Sequence, residues 1–178
     1  HILFESCASG GARFDAGMLY YAPQCWTSDD SDAAERIKIQ YGTSFGYPVI
    51  SMGAHVSAVP NHQLNRITPL STRGNVAFFG AFGYELDLQK LTSEERETVR
   101  EQIRFMKRYR SVLQFGTFYR LQSPFEHNIA AWMVVSEDQR TAIVGYYKIL
   151  NDVNCEYRRL RLQGLDPEKI YHVDQTDM

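Results

Sequence analysis

The chain has 178 residues, of which 44% are hydrophobic and 22% charged, and its net charge at pH 7 is −2. This balance is typical of a folded globular protein, and it gives no reason to expect nucleic acid or an anionic membrane as a partner. No apolar run approaches the roughly 20 residues of a membrane span. The cysteines Cys7, Cys25 and Cys155 are odd in number and form no metal-ligand spacing. They favour a reducing compartment and predict a cytoplasmic protein.

The first 110 residues alternate between strand and helix patterns. Strands are predicted at 1–6, Gln24–Trp26, Pro48–Gly53 and Tyr84–Leu88, and helices at about Asp32–Gly42, Thr72–Phe82 and Thr92–Arg110. The last helix is the most clearly marked, because Thr92 and Glu95 have the spacing of a capping box. Residues 54–66 are predicted as a polar loop carrying His55 and His62. This alternation is typical of βα units around a parallel sheet.

The pattern changes after Leu113, where short strands follow one another without helices between them. They are predicted at Phe115–Leu121, Ile129–Ser136, Thr141–Leu150 and Arg158–Leu162. Breaks that are polar or contain proline separate them, which indicates an antiparallel region joined to the α/β region. We therefore predict a division into residues 1–112 and 113–178. Since the chain opens directly in a strand pattern, we also expect it to be a fragment of a longer protein.

The stretch Cys7–Asp32 holds the main candidates for chemistry. A Gly10-Gly11 turn follows the first strand, and Asp29-Asp30 lie between the second strand and the helix. The spacing alone favours a structural role, in which these carboxylates cap the helix and complement its dipole. The alternative is catalytic, because parallel barrels place their catalytic groups at strand ends. Trp26 would then form an apolar wall that raises the pKa of a carboxyl group, as a general acid requires.

Other candidates are weaker. Cys7 has no neighbouring base that would activate it as a nucleophile, so a plain thiol, buried or lining a pocket, is the favoured interpretation. His55 and His62 stand in a segment without further metal-ligand residues, so no metal site is expected.

Longer motifs give a resemblance to a known family. They are the segments 5–21, 24–30, 39–44, 52–62, 73–75 and 82–88, with sequences such as ESCASGGARFDAGMLYY and QCWTSDD. Through these segments the chain resembles the C-terminal part of the bacterial melibiase-type α-galactosidases, which are retaining glycoside hydrolases. One departure is Ala12, which stands where many relatives carry another glycine.

The resemblance implies a specific fold. Residues 1–112 would supply strands 5–8, the second half, of a (β/α)8 barrel. Residues 113–178 would be the start of an antiparallel β-sandwich domain. It also implies a homo-oligomer, which is a tetramer in full-length relatives.

The resemblance further implies hydrolysis of terminal α-galactosyl residues in melibiose and raffinose-type oligosaccharides. Asp29, the first aspartate of the Trp-x-Ser-Asp-Asp motif, would be the acid/base of a double displacement, and Asp30 would cap the helix and orient its neighbour. Cys7 and Gly10 would border the galactose. No metal or organic cofactor is expected, because both steps need only carboxylates and water.

The family's nucleophile lies in a Lys-Trp-Asp-x-Asn motif, which does not occur in these residues. We therefore expect the chain alone to be inactive. Two alternatives stay open at this point. In the first, the chain is a non-catalytic carbohydrate-binding or assembly module. In the second, the full-length enzyme transfers galactose to other sugars instead of to water.

Overall fold

The computed structural model describes residues 2–7, 14–154 and 157–174. The N-terminal region alternates strands β1 (Glu5–Cys7), β2 (Gln24–Trp26), β3 (Gly53–Ser57) and β4 (Ala81–Glu85) with helices α1 (Ala33–Thr43), α2 (Leu70–Ala77) and α3 (Ser93–Phe115). Strands β5 (Thr117–Gln122), β6 (Ile129–Val135) and β7 (Ala142–Lys148) follow. Short 3-10 turns occur at Met18–Tyr20, Val49–Ser51 and Leu88–Lys90. No helix within the described ranges is long and apolar enough to cross a membrane.

The first four strands run in one direction. Strand β1 pairs in parallel with β2, and β3 pairs in parallel with β4. A parallel bridge between Cys25 and Met52 connects the two pairs. The carboxyl ends of all four strands therefore lie at the same edge, as the alternating sequence pattern predicted.

Side chains alternate between the two faces of strand β3. Ala54 and Val56 are buried in an apolar cluster with Leu70 of α2 and Val99 of α3. The intervening residue, His55, belongs to the opposite face. One face of β3 thus packs on helices, while His55 projects from the other face.

The antiparallel sheet has the order β5-β6-β7. All seven residues of the central strand β6 are buried, and Trp132 is fully inaccessible to solvent. Its ring belongs to the same apolar cluster as Ile37, Phe79 and Leu113 from the helical region. The Tyr147 hydroxyl also donates to the backbone oxygen of Asn75 over 2.8 Å. The antiparallel sheet and the helices therefore share one core.

Several predicted boundaries were wrong. The strand predicted at Pro48–Gly53 lies instead at β3, and residues 49–51 form a 3-10 turn. Helix α2 ends at Ala77 and not at Phe82, so β4 begins three residues before the predicted strand. Gly80 explains this break, because a Cβ there would lie 2.5 Å from the Cβ of Ala54. As it enters β4, the chain comes so close to the start of β3 that only glycine fits at this position.

Two further differences lie near the carboxyl end of the chain. Helix α3 extends five residues beyond the predicted end at Arg110, to Phe115. The strand predicted at Arg158–Leu162 has no assigned strand pairing in the described part of the chain. Four of its five residues are exposed, and a strand-like sequence pattern alone does not supply a neighbouring strand.

Candidate functional site

The two strand ends that carry the predicted site residues are neighbours. Cys7, the last residue of β1, is paired with Trp26, the last residue of β2. The Cys7 side chain is free and exposed. Gly10, the other predicted sugar-contacting residue, lies outside the described residues. The loop that follows β2 carries Asp29. Cys7 and Asp29 therefore lie at the carboxyl ends of two neighbouring strands.

The loop between β2 and α1, residues 27–32, is here named the aspartate loop. Its Asp30 backbone N–H donates to the Ser28 hydroxyl over 3.1 Å, and the Asp32 N–H donates to the Asp30 carboxylate over 3.0 Å. The buried Asp32 carboxylate accepts from the second and third backbone N–H groups of α1, at 3.0 and 3.1 Å. Asp32 is therefore the N-cap of the helix, and the prediction that Asp30 has this role was wrong.

Asp29 differs from the other two aspartates. Its side chain is exposed and accepts no hydrogen bond from the described residues. Asp30 and Asp32 are both engaged in shaping the loop. In the part of the chain that the structure describes, Asp29 is the aspartate of these three whose carboxylate accepts no hydrogen bond.

A second loop, residues 58–69 after β3, supports the aspartate loop. The Asn61 side-chain amide donates to the Ser31 hydroxyl over 3.3 Å, while its oxygen accepts two backbone N–H groups of its own loop. Arg66 forms an ion pair with the Asp32 carboxylate. Both contacts join residues at least 30 positions apart, so the aspartate loop depends on tertiary structure for its shape.

The Trp26 ring lies against two nitrogen-containing side chains. It stacks on His55 with ring centroids 4.7 Å apart and planes 23° from parallel, and the Arg36 guanidinium lies 5.3 Å from its centre. Gly53 makes room for it, since a Cβ there would lie 2.9 Å from the indole. The predicted apolar wall is thus a ring in contact with a histidine and an arginine.

Sequence reasoning missed His55 and Arg36 as parts of this region. Burial lowers the pKa of His55, and the nearby charges of Glu5 and Glu85 oppose that effect. A signal was available for His55, because residues 53–57 alternate between polar and apolar side chains as a half-buried strand does. No comparable signal distinguished Arg36 from a solvent-exposed helix residue.

Another carboxylate stands at the same edge of the strands. Glu85, the last residue of β4, is exposed and accepts a hydrogen bond from the Ser57 hydroxyl over 3.2 Å. In residues 2–7, 14–154 and 157–174, no group of three or more histidine, cysteine, aspartate or glutamate side chains could hold a metal ion. The carboxylates of Asp29 and Glu85 and the thiol of Cys7 therefore follow or end three of the four parallel strands.

The chain matches two models of known protein families. The Melibiase family model matches residues 1–116, and the glycosyl hydrolase family 36 C-terminal domain matches residues 129–178. The chain belongs to the melibiase family. Among curated relatives, alpha-galactosidase AgaA of Geobacillus stearothermophilus is 58% identical over 174 residues, which are 98% of this chain and 24% of that protein. Alpha-galactosidase Mel36A of Lactobacillus acidophilus is 48% identical over 176 residues.

Solved structures show the same likeness. A crystal structure of AgaA from Geobacillus stearothermophilus in complex with raffinose superposes with a TM-score of 0.90 at 60% identity, over 93% of this chain and 23% of that one. The galactosidase domain of the alpha-galactosidase–sucrose kinase AgaSK also gives 0.90, at 53% identity. This member of the melibiase family therefore spans about a quarter of the length of the relatives it matches.

Proposed function

We propose that this chain is part of an α-galactosidase that hydrolyses terminal α-galactosyl residues of melibiose and raffinose-type oligosaccharides by a retaining mechanism. The carrying observation is that the exposed Asp29 carboxylate accepts no hydrogen bond from the described residues and lies at the shared edge of four parallel strands. Relatives at 48–58% identity are named alpha-galactosidases, and one homologous structure holds raffinose. Both findings support α-galactosides as the substrate class.

In this mechanism Asp29 is the acid/base. It protonates the glycosidic oxygen while a carboxylate outside these residues attacks the anomeric carbon and forms a galactosyl-enzyme intermediate. Asp29 then removes a proton from water, which attacks the intermediate and releases galactose with retained configuration. Cys7 and Gly10 border the galactose at the end of β1. The exposure of Asp29 suits a group that must meet the leaving oxygen first and water second.

We further propose that β1 to β4 are strands 5–8 of a (β/α)8 barrel and that β5 to β7 begin an antiparallel β-sandwich. The parallel order of the first four strands and the change to antiparallel pairing after α3 support this division. The two family models match residues on either side of it. The division predicted after residue 112 falls in the last turn of α3.

The decisive experiment substitutes Asp29→Ala in the full-length protein. The kcat for nitrophenyl α-galactoside should fall by about two to four orders of magnitude, because hydrolysis of the galactosyl-enzyme loses its general base. Azide should restore part of the rate and yield α-galactosyl azide, because the small anion attacks the intermediate without needing a base. Asp30→Ala is the matched control, and azide rescue of Asp30→Ala but not of Asp29→Ala would move the role to Asp30.

The chain without its missing carboxylate partner should not hydrolyse the substrate. Release of nitrophenol by the purified 178-residue chain would contradict this part of the proposal. Calorimetry with galactose and raffinose, beside the activity assay, separates a pure binding module from a catalytic one. Product analysis of the full-length protein with sucrose as acceptor separates hydrolysis from galactosyl transfer. The expected cytoplasmic location and homo-oligomer stay predictions.

A further inference from the structure

Arg36 is a buried arginine behind the aspartate loop. It lies in the first turn of α1, four residues after the N-cap, and is only 3% exposed. Its Nη2 donates to the Gly53 carbonyl over 2.5 Å, and its Nε donates to the Gln40 side chain over 3.5 Å. Its Nη1 is buried and has no partner among the described residues. Arginine is almost never buried to this degree unless its charge is paired.

The guanidinium connects three elements beside the aspartate loop. It lies 5.3 Å from the centre of the Trp26 ring, at the end of β2, and it binds the backbone at the start of β3. Gly53 serves both contacts, because its carbonyl accepts from Arg36 and its missing Cβ admits the indole. Arg36 itself belongs to α1. The planar fork of arginine suits such a site, since it can bind a carbonyl and stack on a ring together.

The side chain also brings a positive charge to this place. Burial lowers the pKa of Arg36 to about 10, and the charges of Asp30 and Glu85 act in the opposite direction. At neutral pH the guanidinium therefore remains protonated. The contacts described above are those of a cation.

We infer that Arg36 is a positioning residue for Asp29, which it holds in place by tying both ends of the aspartate loop to one guanidinium. The loop begins after Trp26, which Arg36 contacts, and it ends at α1, to which Arg36 belongs. This inference rests on the proposed function. A general acid must lie within hydrogen-bond reach of the leaving oxygen, and a displacement of about 1 Å can cost about a hundredfold in rate.

The leaving group of the substrate tests this role. Raffinose releases a sugar alkoxide that needs protonation, whereas nitrophenyl α-galactoside releases a stabilised anion that needs little. In the full-length protein, Arg36→Met should lower kcat/KM for raffinose by about a hundredfold and for the nitrophenyl substrate by less than about fivefold. Arg36→Lys keeps the charge but cannot make both contacts, so it should show the same selectivity with a smaller loss.

Arg120 provides the matched control. Its Nη1 donates to the Ser44 carbonyl over 2.9 Å and its guanidinium lies 4.3 Å from the Phe45 ring, but it belongs to β5 and contacts no part of the aspartate loop. Arg120→Met should change kcat/KM for the two substrates by the same factor. Circular dichroism shows which variants fold. If Arg36→Met does not fold, the selectivity of Arg36→Lys between the two substrates tests the positioning role.

The outcomes separate the two proposals. Equal losses on both substrates in the folded Arg36 variants would overturn the positioning role while leaving the α-galactosidase assignment intact. If the unsubstituted full-length protein were inactive on both substrates, the assignment would be overturned, and the positioning role with it. A selective loss in the Arg36 variants, absent from Arg120→Met, is the result we expect.

Discussion

The three aspartates of the aspartate loop should separate stability from activity. Asp32 is 2% exposed, caps α1 with two hydrogen bonds and forms an ion pair with Arg66. Asp29 is exposed and has none of these contacts. We therefore expect Asp32→Ala to destabilise the fold, while Asp29→Asn removes activity and leaves the fold unchanged.

The magnitude for Asp32→Ala follows from its contacts. Loss of an N-cap carboxylate costs about 0.5–2 kcal/mol. The Arg66 side chain is 43% exposed, so the lost ion pair adds only about 0–1 kcal/mol. The free energy of unfolding should thus fall by about 0.5–3 kcal/mol. Asp32→Asn keeps the capping oxygen and should cost less than about 1 kcal/mol, because asparagine and aspartate cap helices about equally well.

Urea unfolding of the full-length variants, followed by tryptophan fluorescence, measures these differences as shifts of the midpoint at constant slope. The activity assay is run at a temperature where every variant remains folded. An Asp32→Asn variant as unstable as Asp32→Ala would show that the cap is not the source of the effect. An Asp29→Asn variant that loses stability and activity together would refute the division of roles.

Three other predictions concern the surroundings of the site. Gly53→Ala places a Cβ 2.9 Å from the Trp26 indole, so differential scanning calorimetry should show a destabilisation of about 1–3 kcal/mol, and the rate on raffinose should fall. Asn61→Ala removes a buried side chain whose oxygen accepts two backbone N–H groups. Urea unfolding should show that the free energy of unfolding falls by about 1–3 kcal/mol. Asn61→Asp, which keeps an acceptor oxygen, should restore part of this loss. Because burial lowers the pKa of His55, the unfolded chain binds this proton at a higher pH than the folded one, so stability is complete above the unfolded pKa and falls as the pH drops towards the folded one. His55→Gln should flatten this part of a urea-midpoint profile between pH 8 and pH 5, and an unchanged slope would contradict the assignment.

Local chemistry correctly predicted where α3 begins. The capping box at Thr92 was recognised from four residues and is present, with both reciprocal hydrogen bonds formed. Strands β3 and β4 were displaced, because short apolar runs do not distinguish a strand from a turn beside it. Placing β4 depends on the close approach of Gly80 to β3, which no local pattern shows.

The sequence by itself determined the order of strands and helices, the change to an antiparallel region and the position of an aspartate-rich loop after β2. Each of these depends on local periodicity and turn chemistry. Only the tertiary structure decided which aspartate is unengaged. Arg66 lies 34 residues from Asp32 and Gly53 lies 17 residues from Arg36. Such contacts form between elements brought together by burial of the apolar faces, so no local pattern in the sequence specifies them.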